Sequence, residues 1–483
     1  MVLAYGIIEM KKEDLKGKKV LVMGLGMHGG GVGTARFLAS QGAGVTVTDT
    51  KTKKELAGSL QKLAGLPIRF VLGKHEKKDF KTHDLVIRNP GVPKASVYLN
   101  IARKTGVPVH TDGSLFLKLC PAFVIGITGT KGKSTITALI AEMLKHQGLQ
   151  AIACGLPGTS LLEALNELTE NHVAVCELSS WQLEEFNAPG EGPDVALITN
   201  IFPDHLKDYS SFDAYRAAKS RMIRYQNKED AAVLNADDSN TAMLKKVAVG
   251  NIFLFSGVSC NVFGTYSGIC IQNDSFILKN GRKEQILALH PSELLLKGSH
   301  NATNAASALA AIFAASQHPR WKNGLFDTRT LRATLKHFRG LEGRLEFLGT
   351  KKDILYVNDT AATNPGAVEA ALTSFPKNAN IILICGGQDK GLSYQKLAKL
   401  IAKRAQYVVL LEGSASDMLR AALTKLTFSR ISRIFSDMSA AVKEAEQHAT
   451  PGDMILLSPG AASFNLFLDE FDRGNAFRKA VKL

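Results

Sequence analysis

The amino-acid sequence predicts an α/β protein whose parallel sheets are covered by helices. Three observations carry this prediction. Strand-like and helix-like runs alternate from one end to the other. The 483 residues, at roughly 150 per domain, correspond to about three domains. With 45% hydrophobic and 21% charged residues, each domain can bury a core.

The elements follow in order. Val20–Met23, Val45–Thr48 and Leu85–Ile87 are short β-rich runs separated by helical stretches. Phe123–Ile127, Val173–Cys176 and Val195–Ile198 repeat the pattern, and Ile381–Cys385, Tyr407–Leu411 and Met454–Leu457 repeat it again. The stretch from Asn251 to Leu289 carries Gly and Asn punctuation and reads as an antiparallel insertion. Breaks are expected near Asp112–Gly113 and near Arg339–Gly340, giving domains 1–112, 113–340 and 341–483.

Composition excludes several classes. Lys plus Arg is 59 and Asp plus Glu is 44, so the formal charge is +15, which suits anionic ligands. The basic residues are scattered, without the interleaved aromatics of a nucleic-acid-binding surface, so no nucleic-acid partner is expected. Six cysteines form no C-x-x-C pair and need no disulfide frame, which points to a reducing compartment. The first residues lack the pattern of a signal peptide, and no apolar run approaches a membrane span of ~20 residues. The expectation is a cytoplasmic protein with no membrane span.

The first glycine cluster is KKVLVMGLGMHGGGVGTARFLASQGAGVTVTD, residues 18–49. A strand enters a glycine loop, a helix follows, and a second strand ends in Asp49. Gly24 and Gly26 let a ligand approach the backbone, and Asp49 stands where a dinucleotide-binding acid would accept from a ribose. The extra glycines after His28 make the spacing irregular. Binding of a nucleotide-like anion, an NAD-dependent oxidoreductase and a plain tight turn all remain open at this point.

The second cluster, VIGITGTKGKST at 124–135, is the strong signal. A β-run leads through Gly126, Gly129 and Gly132 to Lys133, Ser134 and Thr135. Ile136, Leu139, Ile140, Met143 and Leu144 then form one helical face, ended by Gly148. Glycines expose backbone N–H groups that can cradle phosphates, and the helix N-terminus adds a positive dipole end. Lys133 would reach the outer phosphates and Ser134 would ligate Mg²⁺. Five residues stand between Gly126 and Gly132 where the strict phosphate-loop spacing has four, so the loop is a variant.

Three further segments add chemistry. Glu177 ends a β-run in CELSSWQL, where a carboxylate can hold Mg²⁺. Asn200–Lys219 places Asp204, His205 and Lys219 after another strand, as candidates for metal or phosphate contact. LKGSHNATNAAS starts a helix with Asn301 and Asn304 on one face, suited to an adenine or ribose or to capping.

Together, GTKGKST, ELSSWQL, NIFPDHL with its downstream AAK, KGSHNATNA and LEGRLEF resemble the motifs of the Mur ligases, in family order and over nearly the whole chain. NDTAATNPGAVEAAL, CGGQDKG and LLSPGAASFNLF followed by FDRGNAF resemble the branch that adds D-glutamate to UDP-N-acetylmuramoyl-L-alanine. The resemblance implies a Rossmann-like N-terminal domain for the UDP-substrate, a central P-loop ATPase with a mostly parallel sheet, and a C-terminal Rossmann-like domain for the amino acid. It implies an ATP-dependent acid–amino-acid ligase of peptidoglycan precursor synthesis, working through an acyl phosphate as a monomer on small-molecule substrates.

The resemblance also distributes roles. Lys133, His205 and Lys219 would be catalytic. Gly129, Thr130, Lys131, Gly132, Lys133, Ser134, Thr135, Asn304, Arg344 and Asp359 would bind ATP. Ser134, Glu177, His205 and a carbamylated Lys219 would hold two Mg²⁺ ions. Gly26, Met27, His28, Asp49, Thr50 and Gly91 would line the UDP end, and Thr363, Lys390, Ser463 and Phe464 the amino-acid end. Ala361 stands where the family often has lysine, Glu470 where an aromatic residue usually borders the amino-acid pocket, and Ala153 where an asparagine precedes the Gly turn. These departures bear on the amino acid and on the pyrophosphate contacts. A muramate:L-alanine ligase or an altered amino-acid specificity is the alternative within the family.

Overall fold

The computed structural model describes residues 10–26, 30–156, 159–203, 209–296, 298–322, 326–376, 378–389 and 391–482. They form two compact units, Met1–Phe338 and Arg339–Leu483.

The first unit holds two sheets. One contains β1 (Lys19–Met23), β2 (Gly44–Asp49), β3 (Ile68–Leu72), β4 (Leu85–Arg88) and β5 (Val109–Thr111), all parallel, in the order β3-β2-β1-β4-β5. The order reverses between β1 and β4, and a crevice opens beyond the carboxyl ends of strands at such a point. The second sheet holds β6 (Phe123–Thr128), β7 (Gln150–Cys154), β8 (His172–Glu177), β9 (Val195–Ile198), β10 (Ala231–Asn235), β11 (Asn251–Ser256), β12 (Ser267–Gln272), β13 (Ser275–Asn280) and β14 (Lys283–Ile286). Its order is β14-β13-β12-β11-β10-β9-β6-β8-β7, and β6 lies between β9 and β8.

The central strands β6, β9 and β10 form where they do because their runs are apolar on both faces. β6 is buried at every residue, as a parallel strand covered by helices must be. The helix Lys133–His146 packs the predicted face (Ile136, Leu139, Ile140, Met143 and Leu144) into one core, and Gly148 follows its end at φ 84°. The alanine-rich helix Ser299–Ser316 is buried along most of its length and shares that core.

Two expectations need correction. The segment 251–289 is not an antiparallel insertion throughout. β11 pairs in parallel with both β10 and β12, and only β12–β13–β14 run antiparallel. The run NIFLFS extends the parallel sheet because its side chains bury against the same core, while the tight Asn273–Asp274 turn reverses the chain. Cysteine pairing also occurs: Cys260, in a short 3₁₀ turn, and Cys270, on β12, form a disulfide inside the fold. The turn folds back onto the next strand and brings the two buried sulfurs together, a contact that cysteine spacing alone does not reveal.

The second unit holds β15 (Glu346–Lys351), β16 (Ile354–Asn358), β17 (Ile381–Gly386), β18 (Ala405–Leu411), β19 (Ile431–Phe435) and β20 (Met454–Leu457). The order is β15-β16-β20-β17-β18-β19, with only β15 antiparallel. Helices on both faces build two cores. Among the described residues, no helix is long and apolar enough to cross a membrane.

Within the first unit, Arg88 at the end of β4 is 1% exposed. It donates to Val92 O (2.7 Å), Trp181 O (3.1 Å) and Glu184 Oε2 (2.7 Å), and its Nε lies 3.4 Å from Glu185 Oε1. Arg103 donates to the same Glu185 oxygen at 2.7 Å, and Lys94 to Glu184 O at 3.0 Å. These bonds tie the five-stranded sheet to the segment after β8. Replacing Arg88 by Met leaves two carboxylates buried with less compensation, and losing one partner of such a pair costs about 3–5 kcal/mol. We expect the first calorimetric transition of Arg88→Met to fall clearly below that of the unaltered chain. An unchanged transition would show that the network contributes nothing net.

Candidate nucleotide and acceptor sites

The phosphate loop lies beyond β6, between the loops that follow β8 and β9. Gly129 has φ 150°, and a Cβ there would stand 1.9 Å from Thr199 Oγ1, so only glycine fits. Asn200 holds the loop from one side: its carbonyl accepts from Thr130 N (2.8 Å), its Oδ1 from Lys131 N (2.9 Å), and its Nδ2 donates to Lys131 O (3.1 Å). Thr199 Oγ1 donates to the same Lys131 carbonyl at 2.7 Å. Thr130 Oγ1 lies 3.2 Å from the Tyr215 hydroxyl and accepts from Phe202 N at 3.0 Å.

At the head of the helix Lys133–His146, Ser134 Oγ donates to Glu177 Oε2 at 2.5 Å, and Lys133 Nζ lies 3.8 Å from Glu177 Oε1. Lys219, on the helix Phe212–Arg224, is 2% exposed; its Nζ donates to Gly129 O at 2.8 Å and sits 4.7 Å above the Tyr215 ring. Asn304 is beside the loop, since a Cβ on Gly132 would meet its Oδ1 at 2.8 Å. Thr135, Asn301 and Asn304 line a small cleft with Leu294, Leu296 and Phe338. The structure thus brings Gly129, Thr130, Lys131, Gly132, Lys133, Ser134, Thr135, Glu177, Lys219 and Asn304 together. His205 lies outside the described residues. The donors that meet at Glu177 are oxygens from a hydroxyl and a carboxylate, a set that fits a hard divalent cation such as Mg²⁺.

The crevice of the five-stranded sheet gathers the other glycine loop. Asn89 Nδ2 donates to Gly24 O at 2.9 Å, joining the loops after β1 and β4. Asp49 Oδ2 accepts from Leu25 N (2.8 Å) and Gly26 N (3.2 Å), and Oδ1 from Lys51 N (2.9 Å). The carboxylate read as a ribose acceptor therefore frames the loop with the chain's own amides. Thr50 and Gly91 are exposed at this edge. Met27 and His28 lie outside the described residues.

In the second unit, β16, β20 and β17 are neighbours, so the loops after them meet at one edge. Ser458 Oγ donates to Asp359 Oδ2 at 2.7 Å, and Leu345 N to Asp359 Oδ1 at 3.2 Å, which sets the turn carrying Arg344 against Asp359. Ala361 N donates to Gly343 O at 2.8 Å and braces the same turn. Ala462 and Gln388 exchange backbone hydrogen bonds, each 3.0 Å. Ser463 is 2% exposed, and its hydroxyl has no partner among the described residues, an arrangement that costs stability unless another group supplies one. Thr363 is half-buried three residues beyond Thr360, and Phe464 is 70% exposed. Lys390 lies outside the described residues.

Sequence reasoning missed Asn200, Thr360, Arg88 and Arg473. Asn200 and Thr360 stand inside motifs whose other residues carry the assigned roles, and Arg473 stands inside FDRGNAF, which carries none. The arginines look like ordinary surface cations until their distant partners are known.

The chain matches three family models: the MurD-like N-terminal domain of Mur ligases over residues 18–111, the Mur ligase middle domain over 127–312, and the Mur ligase glutamate ligase domain over 343–460. It is 41% identical to a UDP-N-acetylmuramoylalanine–D-glutamate ligase of Roseiflexus sp. over 476 residues, 97% of this chain and 99% of that one. It is 34% identical to the ligase of the same name from Koribacter versatilis, across 97% of this chain and 98% of that one. Among solved structures, the UDP-N-acetylmuramate–alanine ligase of Thermotoga maritima shares the fold with a TM-score of 0.53 at 22% identity, covering 96% of this chain and 99% of that one.

Burial raises the Asp359 carboxyl to about 7, against the hydrogen bonds from Ser458 and Leu345 and the charge of Arg344. A carboxyl raised on folding gives stability that is full below its unfolded value and is lost as pH rises through about 7. Asp359→Asn removes that loss. We expect its melting midpoint, relative to the unaltered chain, to rise from about pH 4 to about pH 7 and then level off. Parallel curves would show that Asp359 does not titrate in this window.

Proposed function

The chain belongs to the Mur ligase family, and from that premise we propose that it joins D-glutamate to UDP-N-acetylmuramoyl-L-alanine with hydrolysis of ATP to ADP and phosphate. The observation that carries this reading is the likeness to D-glutamate ligases along nearly the whole chain, together with a phosphate loop whose Lys133 and Ser134 converge on Glu177. Amide formation from a carboxylate is uphill without activation, and ATP supplies the leaving group. The alanine carboxylate oxygen attacks the γ-phosphorus and ADP departs. The amine of D-glutamate then attacks the acyl carbon, the C–O bond to phosphate breaks, and the amine gives up a proton.

The chain's own groups position and neutralise. The backbone N–H groups at the head of the helix Lys133–His146 face the phosphates, and Lys133 offsets charge on the transferring group. Asn301 and Asn304, with the apolar Leu296 and Phe338, suit the adenosine end. Ser134 and Glu177 would hold Mg²⁺, with His205 and a carbamate on Lys219 serving a second ion; the cations would supply positive charge that offsets the charge on the transferring phosphate. Gly26, Met27, His28, Asp49, Thr50 and Gly91 would frame the UDP end. Arg344 and Asp359 would contribute to ATP binding. Thr363, Lys390, Ser463 and Phe464 would receive the amino acid, whose two carboxylates suit hydroxyl and ammonium donors. ATP and UDP-sugars are cytoplasmic metabolites, so we place the reaction in the cytoplasm, carried out by a monomer.

The test is phosphate release from ATP with Mg²⁺ and UDP-N-acetylmuramoyl-L-alanine across a panel of L- and D-amino acids. Release that requires D-glutamate, with the matching product mass, supports the reading. Release with a different amino acid moves the specificity and directs attention to Ala361 and Glu470. Lys133→Ala should lower ligation by at least about 10²- to 10³-fold with unchanged circular dichroism. Near-normal product from that variant would remove the phosphate loop from the mechanism.

A further inference from the structure

We propose that Thr360 and Arg473 form a positioning device for the acceptor site, fixing the loop that carries Thr363 against the loop that carries Ser463. The proposal rests on the D-glutamate reading above for the identity of the acceptor. It comes from FDRGNAF, a motif to which none of the assigned roles gives a purpose.

Arg473 lies on the helix Glu470–Val481 and is 1% exposed. Its Nε donates to Thr360 Oγ1 at 3.1 Å, its Nη2 to Thr360 O at 2.9 Å, and its Nη1 to Ala461 O at 3.1 Å. One planar guanidinium thus bonds the loop after β16 and the loop after β20. Thr360 completes the joint by donating from Oγ1 to Glu470 O at 2.6 Å. Its methyl is gripped as well: a Cβ on Gly343 or on Gly474 would come within 2.7 Å of Thr360 Cγ2. The turn bearing Arg344 and the helix bearing Arg473 therefore close on this one side chain. Position 470 meets the loop through its carbonyl, so a change of side chain there leaves the joint intact.

The consequence falls on the acceptor. Thr363 follows Thr360 by three residues, and Ser463 follows Ala461 by two. The Ser463 hydroxyl is buried and has no partner among the described residues, so it is available to a ligand. The fork of the guanidinium sets the separation of the two loops more rigidly than a single ammonium could.

Steady-state kinetics on Thr360→Val, Thr360→Ser, Arg473→Lys and their parent tests this, with KM measured separately for D-glutamate and the UDP-substrate. Thr360→Val keeps the shape and removes the hydroxyl. We expect it to raise KM for D-glutamate by about tenfold or more, while KM for the UDP-substrate stays within about twofold. Thr360→Ser keeps the hydrogen bonds and should return KM for D-glutamate toward that of the parent. Arg473→Lys should resemble Thr360→Val, and the two together should cost less than the product of their separate effects. A folded Thr360→Val with unchanged KM for D-glutamate overturns the proposal. So does a parallel rise in both KM values, which marks a general structural role. If Arg473→Lys fails to fold, the Thr360 pair alone decides. If the parent uses another amino acid, the D-glutamate reading fails separately, and the same comparison is made on that amino acid's KM.

Discussion

Arg88 carries a fork of N–H donors into a place that water hardly reaches. A buried guanidinium is stable only if acceptors surround it, and here they come from two segments: Val92 from the loop after β4, and Trp181 and Glu184 from the segment after β8. Asn89, the next residue, grips Gly24, and Trp181 lies four residues beyond Glu177. The requirement to satisfy one cation thus couples the glycine loop of the first sheet to the carboxylate beside the phosphate loop of the second. Because an ion pair in low dielectric tolerates little displacement, the two loops keep a fixed relation within that unit.

The same arrangement recurs in each of the three sheets. Neighbouring parallel strands end at one edge, and their loops meet there because the strand order reverses. At each edge the loops bond chiefly to one another: Asn89 to Gly24, Asn200 to Lys131, Ser458 to Asp359. This self-satisfaction removes the cost of unpaired polar groups and orders the backbone before any substrate arrives. The Ser463 hydroxyl, buried with no partner among the described residues, departs from this pattern.

Much of this was legible in the sequence because phosphate binding is local. A strand, a glycine loop and a helix must be contiguous, so GTKGKST declared itself, and the apolar spacing from Ile136 to Leu144 declared the helix behind it. Glu177 was legible as an acid at a strand end. Arg88 and Arg473 were not, since their roles depend on residues 96 and 113 positions away. The parallel placement of β11 was hidden because strand pairing is tertiary and leaves little local trace, and the Cys260–Cys270 pair because cysteine spacing alone does not show which sulfurs meet. Asp49 shows a subtler limit. Its position follows the fingerprint, but its oxygens accept from the backbone amides of Leu25, Gly26 and Lys51, contacts set by how the loop folds back rather than by residue spacing.

β14 ends the nine-stranded sheet, and all four of its residues, Lys283, Glu284, Gln285 and Ile286, are exposed. A strand in this place offers unpaired peptide groups to any second chain that could align with it. Docking such a neighbour would strip water from the lysine and the glutamate, which are costly to dehydrate. Lys283 and Glu284 therefore oppose edge-to-edge pairing of copies at this margin of the sheet.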